Sequence, residues 1–540
     1  MKMKSCIKLR ITAFVLLLLF SVHSTLSITD VRAEKTGDFD LNLRYQVRYS
    51  SELDVYRTLT RAEKWQGSQT AVIVCDMWDA HHCLNAVRRA TEMGPRMNEF
   101  LKVARNRGVL IIHAPSSCTK PYENHPARMR AKNAPRANNV PADIGQWCKW
   151  IPTEDQKRYP IDQSDGGEDD DLEEHKKWAE ELKAKGRNPR APWQKQMAVL
   201  EIDNADAISD NGVEIWNLME SKGIKNVILL GVHTNMCVLG RPFGLRQMAK
   251  NGKNVVLVRD LTDTMYNPKR APFVSHFSGT DLIVEHIERY VCPTVTSDQL
   301  LGDEEFRFSK DTRPHIVCII AEQEYQTKTT LNKFARQHLQ KDYRLSFVYE
   351  NPKDRDDVPG LEVLADADLV IVSVRRRALP TKQLEHVRKY VETGKPIIGI
   401  RTASHAFSLR KAEPKAGQAV WPEFDQQVWG GNYHNHHGNK KVAKVWTEKS
   451  QLEHPILAGI GAKSWNSGGS LYMTVPLAKG TTTLISGSVE GVEGQEPVAW
   501  THQHIGKGRA FYTSLGHVKD FENPDFQQLF RNAIDWAISK

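Results

Sequence analysis

Several protein classes are excluded by what this sequence has little of. It holds 8 cysteines in 540 residues, none of them in a CxxC pair, so no small disulfide framework is encoded. No basic run is long enough to serve as a nucleic-acid arm. The 74 Lys+Arg face 65 Asp+Glu, and the resulting net charge of +9 is spread along the chain, so nucleic acid is not an expected partner. Past the amino terminus no apolar stretch approaches membrane-spanning length. Internal repeats are absent, and one acidic tract is the only low-complexity segment. What remains is ordinary globular usage, with 40% hydrophobic, 8% aromatic and 26% charged residues. The length suits two to four domains of roughly 150 residues each.

Met1–Arg10 carries Lys2, Lys4, Lys8 and Arg10 without an acid, and Ile11–Val22 is apolar. That order describes a secretory signal, too short to span a bilayer comfortably, with cleavage expected after Ser27 or as late as Ala33. The mature chain is expected to be exported, periplasmic or extracellular, without stable membrane insertion once the signal (1–27) is removed. Loss of Cys6 leaves Cys75, Cys83, Cys118, Cys148, Cys237, Cys292 and Cys318. That set is odd in number, so at least one thiol stays free.

Residues 28–66 read as an amino-terminal extension. Apolar strands at Thr70–Cys75, Gly108–His113, Asn226–Gly231 and Asn254–Val258 then alternate with helical patterns at Ala86–Arg105, Gly212–Lys222 and Cys237–Lys250. Fully apolar strands alternating with helices predict a parallel sheet covered on both faces, here spanning 67–302. An acidic insertion at 160–176 reads as a solvated loop. Its Asp162, Ser164, Asp165, Glu168 and Asp169 supply oxygens of the kind calcium takes, but they do not fit the twelve-residue calcium loop. A linker at 303–313 leads to a second series over 314–540. Its strands are expected at His315–Ile320, Leu345–Tyr349, Leu369–Val374 and Pro396–Ile400, and its helices at Lys328–Leu339 and Thr381–Thr393. The expected fold class is α/β, with two doubly wound parallel-sheet (Rossmann-like or flavodoxin-like) domains in tandem. Such sheets bind ligands at the carboxyl ends of their strands, where Asp76 and the segment Val232–Cys237 both fall.

Cys237 is expected at a helix start, where backbone N–H groups and the macrodipole favour a thiolate. The same N–H groups suit the oxyanion of a tetrahedral intermediate, and Asp76 suits a proton shuttle to a leaving amine. Together they describe hydrolysis through a thioester. The alternative is a small buried cysteine and an aspartate that only caps a helix. The segments AVIVCDMWDAHHC and NVILLGVHTNMCVLGR, with Asp260 and Asp263 in the following strand, resemble the isochorismatase-like cysteine hydrolase superfamily over roughly 69–301. This superfamily includes nicotinamidases and other carbon–nitrogen amidases.

The resemblance implies Cys237 as nucleophile and Asp76 as its acid partner. It places a cis peptide bond between Val232 and His233, and an oxyanion hole near the backbone of Met236 and Cys237. The family's catalytic lysine has no counterpart where Leu200–Ser209 stands. Either Lys195, a few residues upstream, reaches the site, or the site lacks its cation. Trp78, His81, His82, His113 and Thr234 are candidates to line the substrate pocket. Some nicotinamidases bind a metal through one Asp and two His, but His113 and His125 lack that spacing, so no metal and no cofactor are expected.

Over 315–540 the segments Gly394–Ile400, Trp429–His434, His454–Ile456, Pro497–Trp500 and Gly506–His517 resemble ThuA-like domains, relatives of class I glutamine amidotransferases. The position of the amidotransferase nucleophile is taken by Arg401, which cannot serve as one. Arg401, His405, Tyr433, His434 and His517, together with His436 and His437, are expected to gather at strand ends. With Trp429 and Tyr512 for stacking, such a cluster suits sugar hydroxyls or a carboxylate. A solvent-facing loop without a ligand is the alternative. The expected protein is an exported hydrolase of a small amide or sugar-derived substrate, its thioester chemistry coupled to a carbohydrate-related domain. The competing expectation is a silent first domain, with function carried by the second. Oligomeric state is not legible.

Overall fold

The computed structural model describes residues 37–155, 158–439 and 441–539. The expected signal, with either cleavage site, lies outside the described residues.

The first half is built on an eight-stranded sheet. Its strands are β1 (Asp38–Arg48), β2 (Tyr56–Gln66), β3 (Thr70–Cys75), β4 (Leu110–Ala114), β5 (Ala207–Ile208), β6 (Asn226–Val232), β7 (Asn254–Asp263) and β8 (Thr294–Val295). The order is β2-β1-β8-β7-β6-β3-β4-β5, parallel from β8 to β5. β3 shows why the sheet is covered on both faces. Ala71, Ile73 and Cys75 pack in one core with Ile215 and Met219 of the helix Gly212–Ser221. Val72 and Val74 pack in another with Met93, Met97 and Leu101 of the helix Leu84–Asn106. A strand buried on both sides has no use for polar alternation, hence its unbroken apolar run.

β1 and β2, both within the expected extension, form an antiparallel hairpin on the sheet edge. Phe39, Leu41 and Leu43 alternate into the first half's core. At the other end Val55, with Tyr49 and Leu53 against it, enters a core of the second half.

The second half has a nine-stranded sheet. Arg344–Tyr349, His315–Ala321, Leu369–Val374, Ile397–Ile400 and Arg509–Thr513 run parallel in that order. The sheet continues antiparallel through Glu496–Gln503, Thr482–Val489, Ala443–Thr447 and Ser464–Asn466. Both halves are thus mixed α/β structures with mostly parallel sheets. The halves meet through Arg336–Glu285 at 3.0 Å, and the linker is tied to each half through Arg344–Glu305 at 3.0 Å and Arg313–Asp281 at 2.9 Å.

The acidic insertion is not the solvated loop expected. Asp170 accepts from the N–H groups of Leu84 and Asn85, both at 2.7 Å, at the start of the helix Leu84–Asn106. Asp169 pairs with the buried Arg89 at 2.8 Å, and Arg89 also holds Asp263 at 2.7 Å. A carboxylate beside an unsatisfied helix start and another beside a buried guanidinium are better placed there than in water. Among the described residues no helix is long and apolar enough to cross a membrane.

Candidate functional site

β3 ends at Cys75, and Asp76 turns the chain with a φ of 49°, a left-handed conformation that a non-glycine residue rarely holds. Its fully buried carboxylate accepts from the Ser116 N–H at 2.8 Å and from Arg241 Nε at 3.0 Å. Neighbouring β6 passes this corner closely because Gly231 has no side chain: a Cβ there would lie 2.1 Å from the Cys75 carbonyl oxygen. The Val232–His233 bond that follows is cis. A π-helical turn, Thr234–Val238, then carries Cys237. Asp76 and Arg241 both lie close enough to the Cys237 thiol to act on its ionisation. Asp76, Cys237 and Arg241 therefore form one connected group at the carboxyl ends of adjacent parallel strands.

The helix expected over Cys237–Lys250 is broken. The chain turns at Arg241–Gly244, where Pro242 has no N–H to give, and a regular helix resumes only at Leu245–Lys250. The break leaves Arg241 able to reach back to Asp76. It also removes the long helix whose dipole was expected to favour the thiolate.

Burial raises the Asp76 carboxyl, with Arg241 and Ser116 opposing. Burial and then Asp76 push the Cys237 thiol well up, against the pull of Arg241. The resting cysteine is a neutral thiol beside a carboxyl of raised basicity.

Lys195 does not supply the cation. It lines the same cleft as Asp76, but no ion pair joins the two among the described residues. Its backbone is tied to Asp79 instead. The cleft, about 390 Å³, is also lined by Trp78, His81, Val232 and His233. Trp78 stacks on Trp193 with centroids 4.8 Å apart, and His81 meets His233 edge-on at 4.8 Å and His82 at 4.0 Å. Burial holds His81 well below the usual histidine range and lowers His233 to about 4. Trp78, His81 and His233 thus give the cleft an aromatic side, while Asp79, Arg187 and Lys195 also line it.

Other expected pocket residues are committed elsewhere. His113 is buried with its Nδ1 3.1 Å from Gln196 Oε1 and its Nε2 3.1 Å from Asp206 Oδ2, so it has no ring nitrogen to offer a substrate. The Thr234 hydroxyl is spent on Thr262 at 2.7 Å. The Met236 N–H donates to the His233 carbonyl at 3.0 Å, which occupies one expected oxyanion donor. Asp260 accepts from Ser297 and Phe306, and His125 caps the helix Pro126–Lys132. Among the described residues two groups have ligand-like spacing for an ion, Cys83 with Asp169 and Asp170, and Glu168 with Asp170 and His175. However, Asp169 is already held by Arg89, and Asp170 by the helix start.

In the second half, Arg401 leaves its strand with a φ of 44°. Its guanidinium lies 4.2 Å from the Tyr325 ring and 4.8 Å from the Tyr472 ring, with NH1 donating to the Ser514 carbonyl at 2.6 Å. His405 stacks on Tyr433 at 4.5 Å, and Tyr433 lies 4.6 Å from Tyr472. His517 meets Tyr325 at 5.9 Å. Arg401, His405, Tyr433 and His517 thus share one neighbourhood. His434 is exposed, with its Nδ1 2.9 Å from the Asn432 carbonyl oxygen. Trp429 and Tyr512 are not stacking platforms. Both are fully buried, Trp429 donating to the Ala403 carbonyl and Tyr512 to that of Arg401.

The comparisons with known proteins divide the chain in the same way. Residues 70–274 match the isochorismatase domain family, and residues 316–537 match the trehalose utilisation (ThuA) family. A ThuA-like protein from Bacteroides uniformis ATCC 8492 is similar at 18% identity, covering 44% of this chain and 96% of its own, with a TM-score of 0.34. A cysteine hydrolase from Pseudomonas syringae pv. phaseolicola 1448A is similar at 15% identity, covering 44% of this chain and 94% of its own, with a TM-score of 0.26. No curated protein matches the chain.

Proposed function

Given a chain that joins an isochorismatase-like half to a ThuA-like half, we propose that it hydrolyses a small amide or related carbon–nitrogen bond at Cys237. The observation that carries this reading is the Asp76–Arg241 pair at 3.0 Å with the Cys237 thiol beside it. Asp76 takes the thiol proton as the sulfur adds to the amide carbon. It then delivers that proton to the departing nitrogen as the carbon–nitrogen bond breaks, leaving a thioester. Water, deprotonated by the same carboxylate, adds to the thioester and releases the acid and the thiol. Arg241 keeps Asp76 ionised and steadies negative charge on sulfur. For the Met236 N–H to serve the tetrahedral oxyanion, the turn Thr234–Val238 has to release it from the His233 carbonyl. The ring faces of Trp78 and His81 favour a flat substrate. The basic and then apolar start of the chain supports export.

The test is turnover of an amide panel by the full chain and by Cys237→Ala. The variant should fall to background while its melting temperature stays within a few degrees of the parent's. Equal turnover by both proteins refutes the reading. A second reading has its own support, since the thiol is held neutral and the Met236 N–H is occupied. On that reading the first half is silent and the ThuA-like half carries a carbohydrate-related role. No turnover on any amide, with retained sugar-derivative binding, would favour it.

A further inference from the structure

The strands Leu369–Val374 and Ile397–Ile400 are parallel neighbours, so their carboxyl ends open on one edge of the sheet. Just past each strand stands an arginine with left-handed backbone, Arg376 with a φ of 49° and Arg401 with a φ of 44°. Non-glycine residues persist in that conformation only where their surroundings impose it, and they gather at functional sites. Here the imposing contacts are visible. The Arg376 N–H donates to the His405 carbonyl at 3.0 Å and the Arg377 N–H to the Ala406 carbonyl at 2.8 Å, which latches the two turns together.

The latch crowds positive charge. Arg375 has a carboxylate, Glu324, at 2.6 Å. For Arg376, Arg377, Arg401 and Arg410 no ion pair occurs among the described residues. Arg377 and Arg401 are each only 2% exposed, and in Arg376, Arg377 and Arg401 the Nε is buried without a hydrogen-bond partner. Burial first, and then Arg376, Arg375, Arg410 and Arg401, hold His405 well below the usual histidine range, so it adds no further cation. Arg401 lies over Tyr472, which continues the stack of His405 and Tyr433. Arg376 and Tyr433 are partly exposed and Arg410 is exposed, so the corner is reachable from solvent.

Arg376 and Arg410 repel one another with no ion pair to either among the described residues, so they form a site that an anion would complete, since each can pair two oxygens of one carboxylate or phosphate. We propose that this corner binds a small organic anion, a carboxylate or phosphate ester, with Arg376 and Arg410 meeting its oxygens and the Tyr433 ring meeting its body. The site goes beyond the hydrolase reading and does not depend on Cys237. It also narrows the carbohydrate expectation for this half, favouring a sugar acid or sugar phosphate over a neutral sugar.

Isothermal titration of the full chain with inorganic phosphate, glucuronate and glucose tests this. Binding of phosphate or glucuronate without binding of glucose is expected, and which anion binds separates the two oxyanion sources. Added NaCl should weaken the binding. Arg376→Gln and, at the exposed position, Arg410→Gln should each raise Kd by about tenfold or more. Cys237→Ala should leave it unchanged. The proposal is overturned if neither anion binds, if glucose binds as tightly as glucuronate, or if both arginine variants bind like the parent.

Discussion

At Asp76 a carboxyl group is held out of water between a guanidinium and a thiol, and its ionisation decides whether it can act as a base. Burial lifts its pKa and Arg241 restrains that lift. Arg241→Gln should therefore move the acid limb of kcat/KM to higher pH, because the base is lost as pH falls through a pKa now raised further. The same change should lower kcat by about 100- to 1000-fold, the scale of losing one charge-stabilising donor. Arg241→Lys keeps the charge without the fork and should fall between the two. An Arg241→Gln profile superimposable on the parent's would remove Arg241 from the chemistry. The places of Asp76 and Cys237 were legible in the sequence because Asp76 directly follows the apolar strand β3 and Cys237 lies in the turn that follows the apolar strand β6. Arg241 was not, since four residues past Cys237 it reads as the next turn of a helix. Only the break at Pro242 aims it at Asp76. Of the two alternatives for Lys195, the structure brings it to the cleft of Asp76 without an ion pair to that carboxylate among the described residues.

Among the elements, the strands were the most readable and the connections the least. β3 and Leu369–Val374 begin and end where their apolar runs do, since a buried parallel strand is written as one uninterrupted block. The acidic segment was misread because charge runs usually favour water, and nothing local announces that Arg89, on a distant helix, has a vacancy for a carboxylate. Asp169→Ala should cost about 2 kcal/mol in urea unfolding, the value of a charged hydrogen bond lost from a buried arginine. The pH dependence has a definite sign. Asp169 and Asp263 are held below the ordinary carboxyl range, by hydrogen bonding and charge that outweigh burial. Their stabilisation is fully present above the unfolded value of about 4 and is lost as pH falls through the lower folded values. The variant should thus lose part of the parent's sensitivity below about pH 4. An unchanged acid unfolding curve would contradict this account.

Over the whole molecule, the β1–β2 hairpin ties the two halves together, with Phe39, Leu41 and Leu43 in one core and Val55 in the other. Calorimetry should show one unfolding transition for the parent chain. Val55→Asp, which puts a charge into the second half's core, should separate it into two. A single undisturbed transition in the variant would mean that the hairpin tip contributes little to the union. The tandem arrangement itself was legible from two runs of alternating strands and helices, whereas the hairpin was not, because its two ends answer to cores far apart in the chain. That arrangement also bears on how the chain is made. A ribosome delivers Val55, Tyr49 and Leu53 early, while residues that cover the tip, such as Lys328, Tyr349 and Glu350, emerge only after the whole first half is made. The tip must wait wetted until the second half begins to emerge, and a chaperone that attends this protein has a persistent target there.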